Sequence, residues 1–191
     1  MTVMIRSAEP RRSATGDEAV IPAIAEDGTL FPIGKLDAHR VGQKHLAVSV
    51  FVFAGDRLLI QRRALGKYHC GGLWANTCCT HPHWGESPSD CAPRRLLEEV
   101  GLSLPLQSRS VVEYRADVGN GLIEHERVHV FRGDVDVPFD VSSYNCDEVQ
   151  EVAWVTQEAL RSEVAAAPER FTPWLKIYLG RWSELALQDA A

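Results

Sequence analysis

The chain has 191 residues, of which 45% are hydrophobic and 24% are charged, as in an ordinary globular domain with one sizeable core. Its net charge of −6 argues against nonspecific nucleic-acid binding, which needs a basic surface, although it leaves room for a local basic pocket. Its apolar runs all fall short of the roughly 18 residues of a membrane span.

The first 18 residues are polar, have no hydrophobic period and lack the apolar core of a signal peptide. We therefore expect a disordered leader over residues 1–18 and a single domain over residues 19–191. The five cysteines are odd in number and include no paired C-x-x-C set, which argues against a disulfide framework and a structural zinc site. Reduced thiols predict a cytoplasmic protein. The acidic net charge and the short apolar runs predict neither nucleic acid nor membrane as a partner.

Four segments are predicted before the middle of the chain. Two short strands within residues 19–33 flank a turn at Asp27-Gly28, and residues 35–43 form a polar connector. Residues 45–53 are apolar at both alternating positions, which indicates a strand that is covered on both sides. Residues 57–62 return as the neighbouring strand.

A short helix is predicted within the segment from Leu73 to Leu102, which is dense in reactive side chains. Ser87 and Pro88 suit the N-terminus of this helix, and Gly101 suits its end. Pro93 removes a backbone donor deeper than the first turn, so we expect the helix to begin irregularly or one turn later.

The last third of the chain predicts three strands and two helices. The strands cover residues 110–116, 122–133 and 149–155. One helix runs from a cap at Thr156 to about Ala166, and the other runs from Thr172-Pro173 to about Leu187. One mixed sheet with helices on its faces, an α+β fold, is the simplest packing of these elements.

Two carboxylates, Glu124 and Glu126, are two residues apart on a predicted strand and therefore point to one face of it. Such a pair is either an exposed acidic stripe or is relieved by a cation or a proton. Three histidines, His39, His45 and His81, favour a site for Mn²⁺, Mg²⁺ or Zn²⁺. The other four are expected to be ordinary surface or packing histidines, namely His69, His83, His125 and His129.

Glu86 is followed, after seven residues, by the run RRLLEEVGL from Arg94 to Leu102. This pattern resembles the Nudix box, G-x5-E-x7-R-E-U-x-E-E-x-G-U, whose glutamates hold Mg²⁺ on a diphosphate. The chain departs from it in having Thr80 in place of the glycine and Arg95 in place of a glutamate. Since a cation there weakens a carboxylate cluster and offers a phosphate contact, the resemblance implies a Nudix fold that no longer hydrolyses.

From about Lys35 to Leu175 the chain also resembles the type I isopentenyl-diphosphate delta-isomerases. The matching motifs are K-x-x-x-H (Lys35, His39), HLA (His45), RRALGK (residues 62–67), W-x-N-x-x-C-x-H-P (Trp74 to Pro82), GES (residues 85–87), RRLLEE (residues 94–99), YRA (Tyr114), E-x-E (Glu124, Glu126) and F-T-P-W (residues 171–174). The loop before Trp74 reads YHCGGL, without the aromatic–proline pair of some members.

This resemblance implies an isomerase that moves a double bond in a C5 diphosphate through a tertiary carbocation. It implies acid/base roles for Cys79 and for Glu126 with the help of Tyr114, whereas Cys78 is the adjacent thiol without a role. A metal would be bound by His39, His45, His81, Glu124 and Glu126. A substrate-borne Mg²⁺ would be bound by Glu99 and the Cys79 carbonyl, and the diphosphate by Lys35, Arg63, Lys67 and Arg95.

Trp174 would line the carbocation pocket, or else it anchors the last helix in the core. Two other functions stay open at this point. A Nudix pyrophosphohydrolase is disfavoured by Arg95, and a noncatalytic metal module is disfavoured by the missing C-x-x-C pairs and the presence of Glu124 and Glu126.

Overall fold

The computed structural model of the chain describes residues 19–188, and the leader predicted for residues 1–18 lies outside them. The described strands are β1 (Val20–Ile24), β2 (Leu30–Gly34), β3 (His45–Ala54), β4 (Arg57–Arg63), β5 (Trp74–Ala75), β6 (Cys78–Thr80), β7 (Gln107–Asp117), β8 (Ile123–Val135) and β9 (Val149–Thr156). The described helices are α1 (Lys35–Val41), α2 (Pro88–Val100), α3 (Gln157–Ala166) and α4 (Pro173–Gly180). Among these residues, no helix is both long and apolar enough to cross a lipid bilayer.

Strand β3 is the centre of the sheet. It pairs in parallel with β8 over its whole length and antiparallel with β6 on its other side. It also pairs with β1 at one end and continues through a tight turn into β4 at the other. Every residue of β3 is buried, which confirms the prediction of a strand covered on both faces.

Apolar side chains pack on both faces of this sheet. On one face, Leu96 and Val100 of α2 join Val50 of β3 in a buried cluster. On the other face, α4 and α3 pack over Phe51 and the neighbouring strands. The predicted α+β architecture, a mixed sheet with helices on its faces, is thereby confirmed.

Three local predictions were wrong. The polar connector at residues 35–43 contains α1, a short helix that ends at a left-handed Gly42. The last helix stops at Gly180, and a 3₁₀ turn from Trp182 to Leu185 follows it. Helix α2 begins at Pro88 and passes through Pro93, so the proline does not delay its start.

The predicted ends of α2 are confirmed. The Ser87 hydroxyl accepts the backbone N–H of Asp90 at 3.2 Å, and this satisfies one of the free donors of the first turn. Gly101 ends the helix with a φ of +75°, a conformation that costs glycine little. With both ends fixed, α2 presents its Arg- and Glu-rich face at the edge of the sheet next to β6.

Candidate active site

Most of the predicted site residues line one pocket, which holds about 410 Å³ of empty space, its open mouth included. The lining residues are Lys35, Arg63, Lys67, Tyr68, His69, Cys79, Thr80, His81, Arg95, Glu99, Tyr114, Glu124, Glu126 and Trp174. Two predicted residues, His39 and His45, do not line the pocket but lie fully buried behind it. The structure therefore brings all the predicted site residues into one region.

Strand register builds the wall of this pocket. The β3–β8 pairing puts His45 beside Glu126, and the β7–β8 pairing puts Tyr114 directly across from Glu126. Glu124 and Glu126 are buried while His125 between them is half-buried, as the alternation predicted. His125 instead contacts the Gly42 carbonyl on the other face.

A cluster of metal-ligand atoms lies at the bottom of the pocket. One ligand atom from each of His39, His45, His81 and Glu124 lies within 4.8 Å of the other three. Glu126 Oε1 is 2.9 Å from His81 Nε2 and 3.8 Å from His45 Nε2. The five residues come from α1, β3, β8 and the segment after β6, so the cluster forms only in the folded chain.

The hydrogen bonds of two histidines leave their Nε2 atoms available as ligands. His39 Nδ1 lies 2.6 Å from the Lys35 carbonyl, and His45 Nδ1 lies 2.7 Å from the Gln43 carbonyl. Because a carbonyl only accepts, each Nδ1 carries the proton, and in the neutral ring each Nε2 has a lone pair. A hydrogen bond from the other ring nitrogen to a carbonyl is typical of histidines that bind a metal.

The inner atoms of the cluster leave a place that a cation would fit. His45 Nε2 faces His81 Nε2 at 3.1 Å. Glu124 Oε2 is buried and has no hydrogen-bond partner among the described residues, although His39 Nε2 is 3.0 Å away. Facing imidazole nitrogens and an unpartnered carboxylate oxygen in one buried place fit a divalent ion, and the histidine and carboxylate donor set suits Mn²⁺, Mg²⁺ or Zn²⁺.

The pKa values of this cluster also reflect the two buried carboxylates. Burial lowers the pKa of His45, but its contacts with Glu124 and Glu126 outweigh burial and raise that pKa to about 9. Burial and the nearby Glu124 charge raise the pKa of Glu126 above its usual value. Burial acts the same way on Glu124, where histidine contacts prevail and hold the pKa well below the usual range.

His69 belongs to this site, contrary to the expectation of an ordinary surface or packing histidine. Its Nε2 lies 3.0 Å from Glu124 Oε1, and its ring stacks on His39 with centroids 5.6 Å apart. Burial lowers its pKa to about 4, so its neutral Nε2–H donates to Glu124. The neighbouring Tyr68 hydroxyl lies 3.3 Å from His39 Nε2. The YHCGGL loop, where the chain departs from the isomerase pattern, was the available signal.

The two adjacent thiols point to opposite sides of the sheet, because successive residues of a strand alternate. Cys78 is fully buried in the apolar cluster under α2. Cys79 lines the pocket, where its thiol donates to Asn76 Oδ1 at 2.7 Å. Burial raises the pKa of the Cys79 thiol to about 12. Across the pocket, the Tyr114 hydroxyl donates to Glu126 Oε2 at 2.6 Å.

Four cations, Lys35, Arg63, Lys67 and Arg95, gather at the pocket. Burial and the positive charges of the other three lower the pKa of Lys35 to about 8. Sequence analysis missed one counter-ion, Glu148, which pairs with Lys67 and lies 3.3 Å from Arg95 Nη2. These ammonium and guanidinium groups are donors of the kind that bind the oxygens of an anion.

The Nudix-box residues on and just before α2 divide into two groups. Glu86, before the helix, binds Arg94 with two hydrogen bonds of 2.6 Å and is not among the residues that line the pocket. Glu99 lines the pocket, where its oxygens contact Arg95 Nη2 at 2.5 Å and Gln61 Nε2 at 3.1 Å. Since each carboxylate oxygen has a further lone pair, Glu99 can still contribute an oxygen to a cation in the pocket.

Trp174 has both of the positions that were considered for it. Trp174 belongs to α4 and packs in the core, and its ring also lines the pocket. The Arg63 guanidinium carbon lies 5.2 Å from the ring centroid, and the His69 ring meets the indole edge-on at 5.9 Å. The indole N–H is buried without a hydrogen-bond partner among the described residues.

This fold and this charged pocket, with its buried histidine and glutamate cluster, are those of a Nudix-type protein. The chain matches the NUDIX domain family model over residues 43–175. It is similar in fold to the DR0079 protein of Deinococcus radiodurans, with a TM-score of 0.68 at 16% identity over 85% of this chain and 98% of that one. The MutT protein of Methanosarcina mazei gives a TM-score of 0.57 at 17% identity over 73% of this chain and 93% of its own.

Sequence similarity narrows the class further. The chain is 58% identical to the isopentenyl-diphosphate Delta-isomerase of Dinoroseobacter shibae, over 83% of this chain and 90% of that protein. It is 55% identical to the protein of the same name from Rhodobacter capsulatus, over 85% and 92% of the two chains. The chain belongs to the isopentenyl-diphosphate Delta-isomerase family of Nudix enzymes.

Proposed function

We propose that this enzyme interconverts isopentenyl diphosphate and dimethylallyl diphosphate. The observation that carries the proposal is the placement of two proton-transfer groups on strands at opposite sides of β3. Cys79 is on β6, directly across from Ser49 of β3. Glu126 is on β8, directly beside His45 of β3. Both line the same pocket, so a bound C5 unit has an acid/base group on each side.

The reaction itself conserves protons. One group protonates the terminal carbon of the double bond, which creates a tertiary carbocation at the other carbon of that bond. The other group removes a proton from the CH₂ group next to the cationic carbon, and this forms the new double bond. Cys79 Sγ serves one of these steps and Glu126, hydrogen-bonded by the Tyr114 hydroxyl, serves the other. Trp174 provides an aromatic face at the pocket wall, a contact worth roughly 0.5–2 kcal/mol to a nearby cation.

The diphosphate fits the cationic side of the pocket. Lys35, Arg63, Lys67 and Arg95 offer ammonium and guanidinium donors for its oxygens. Arg95 replaces a glutamate of the Nudix box, which removes a carboxylate that hydrolysis would need for its metals. Binding without hydrolysis is therefore the chemistry that this side of the pocket favours.

Two metal positions complete the proposal. His39, His45, His81, Glu124 and Glu126 would hold one divalent ion, and Glu99 with the Cys79 carbonyl would hold a Mg²⁺ that arrives with the substrate. When bound, these ions supply charge neutralisation, the first to the paired buried carboxylates and the second to the diphosphate. The side chains of the pocket orient the C5 unit and keep water from the carbocation.

A deuterium experiment tests the function. The enzyme is incubated with isopentenyl diphosphate and Mg²⁺ in D₂O, and the products are followed by NMR and mass spectrometry. We expect dimethylallyl diphosphate that carries deuterium. Release of phosphate or pyrophosphate without isomerisation would contradict the proposal and support a Nudix hydrolase instead. Enzyme treated with a chelator and dialysed is the matched control, and it should be inactive until a divalent ion is restored.

A further inference from the structure

The Cys79 thiol is held by two buried neighbours. The amide nitrogen of Asn76 donates to the carbonyls of Val50 at 3.1 Å and Cys78 at 3.3 Å. Because these carbonyls can only accept, the amide oxygen must face the thiol, which donates to it. The thiol has no second proton, so in its contact of 3.4 Å with Ser49 the serine hydroxyl donates to the sulfur.

The contacts of Ser49 continue to a second hydroxyl. Its oxygen lies 2.8 Å from the Tyr178 hydroxyl of α4. The Tyr178 ring meets the Tyr114 ring edge-to-face, with the centroids 5.8 Å apart. Tyr114 donates to Glu126. Ser49 and Tyr178 are each at most 1% exposed, so water is kept away from this pair of hydroxyls.

From this arrangement we propose that Tyr178 and Ser49 are positioning residues that orient the Cys79 thiol through one buried pair of hydroxyls, beside the Tyr114 that orients Glu126. The inference rests on the proposed function, since it assigns Cys79 and Glu126 the proton transfers.

The sulfur fixes the direction of the hydroxyl pair. A hydroxyl has one proton to donate, and that of Ser49 goes to Cys79 Sγ, so the Ser49 oxygen accepts from Tyr178. Both hydroxyl protons therefore point toward the thiol. Hydrogen bonds in such a row strengthen one another, which holds the sulfur at one place in the pocket wall.

Tyr178→Phe tests this role, because it removes one hydroxyl and keeps the ring that packs on Phe51. We expect kcat to fall about tenfold or more, while KM for isopentenyl diphosphate changes less than twofold. Tyr144→Phe is the matched control, since the Tyr144 hydroxyl donates to the Gln150 carbonyl outside the pocket. It should leave both constants unchanged.

A second variant separates a shared pair of hydroxyls from two independent contacts. Ser49→Ala should lower kcat in the same way. The kcat of the double variant should be little lower than that of the less active single variant. An unchanged kcat in Tyr178→Phe, a rise in KM instead, or losses that multiply in the double variant would each overturn the inference. Wild-type enzyme that fails to isomerise would instead refute the proposed function, so the two failures are distinguishable.

Discussion

Cys78 and Cys79 are adjacent in the chain, but only Cys79 has its sulfur in the pocket. We expect Cys79→Ala to lower kcat by roughly 10²–10⁴-fold, the usual contribution of a positioned acid or base. Cys78→Ala is the matched control, which should retain activity and lose about 1 kcal/mol of unfolding free energy, an ordinary cost for a core substitution. Steady-state kinetics and denaturant unfolding measure the two effects. The opposite pattern would show that the assignment is shifted by one residue.

His69 provides a second test at the scale of single residues. Its Nε2–H donates to Glu124 Oε1, which leaves Oε2 directed into the histidine cluster. We expect His69→Ala to weaken Mn²⁺ binding roughly 10- to 100-fold, the typical effect of losing a side chain that orients a metal ligand by a hydrogen bond. His83→Ala, on the exposed segment before α2, should bind Mn²⁺ like the wild type. Competition with a chelating dye measures both affinities, and equal affinities in the two variants would show that Glu124 does not depend on His69.

At the scale of residues, the sequence predicts a side chain's position well where the chain follows a regular period. Glu124 and Glu126 were placed on one face correctly because the two-residue period of a strand is a local property. His69 follows no period, since it lies in a loop whose path is set by distant contacts such as the hydrogen bond from Arg63 to the His69 carbonyl. Glu148 was missed for the same reason, because its contacts with Lys67 and Arg95 come from distant parts of the chain.

Helix α2 and helix α1 show the same contrast at the scale of elements. The ends of α2 were predictable, because a serine cap and a left-handed glycine are local signals. Helix α1 has seven residues, too few to be stable alone, and it carries no side-chain cap. Its buried residues, Ala38 and His39, pack against the folded sheet and stabilise the helix there. The predicted connector therefore became a helix through tertiary contacts.

Pro93 in the middle of α2 leads to a prediction for that element. It is exposed and lies five residues after Pro88, so it removes an interior backbone donor. We expect Pro93→Ala to raise the unfolding free energy by about 1–2 kcal/mol. The alanine N–H adds a helical hydrogen bond, and the stability that this bond contributes exceeds the entropic cost of a more flexible unfolded chain. Pro88→Ala, at the first helical position, should give no such gain. Urea unfolding compares them, and a destabilised Pro93→Ala would show that the proline ring has a packing role.

At the scale of the whole molecule, the site residues span the chain from Lys35 on α1 to Trp174 on α4. Their assembly requires the complete sheet, since β3 carries His45 and has the strands of Cys79 and Glu126 on its two sides. The fold class was predictable from the pattern of apolar strands and amphipathic helices. The residues of the pocket were predictable through family motifs. The distances between their side chains, and the contact of Tyr178 with Ser49, depend on how α4 docks on β3.

Because the metal cluster joins elements from distant parts of the chain, metal binding should stabilise the whole fold. Without a cation, the buried Glu124 and Glu126 carboxylates and the facing imidazoles depend on protons to reduce their repulsion. An ion that binds only the folded state adds about 2.7 kcal/mol of unfolding free energy when its free concentration is roughly 100 times Kd. We therefore expect Mn²⁺ to raise Tm after chelator treatment, as measured by calorimetry. His45→Ala should abolish most of this rise, and an equal rise in that variant would show that the stabilising ion binds elsewhere.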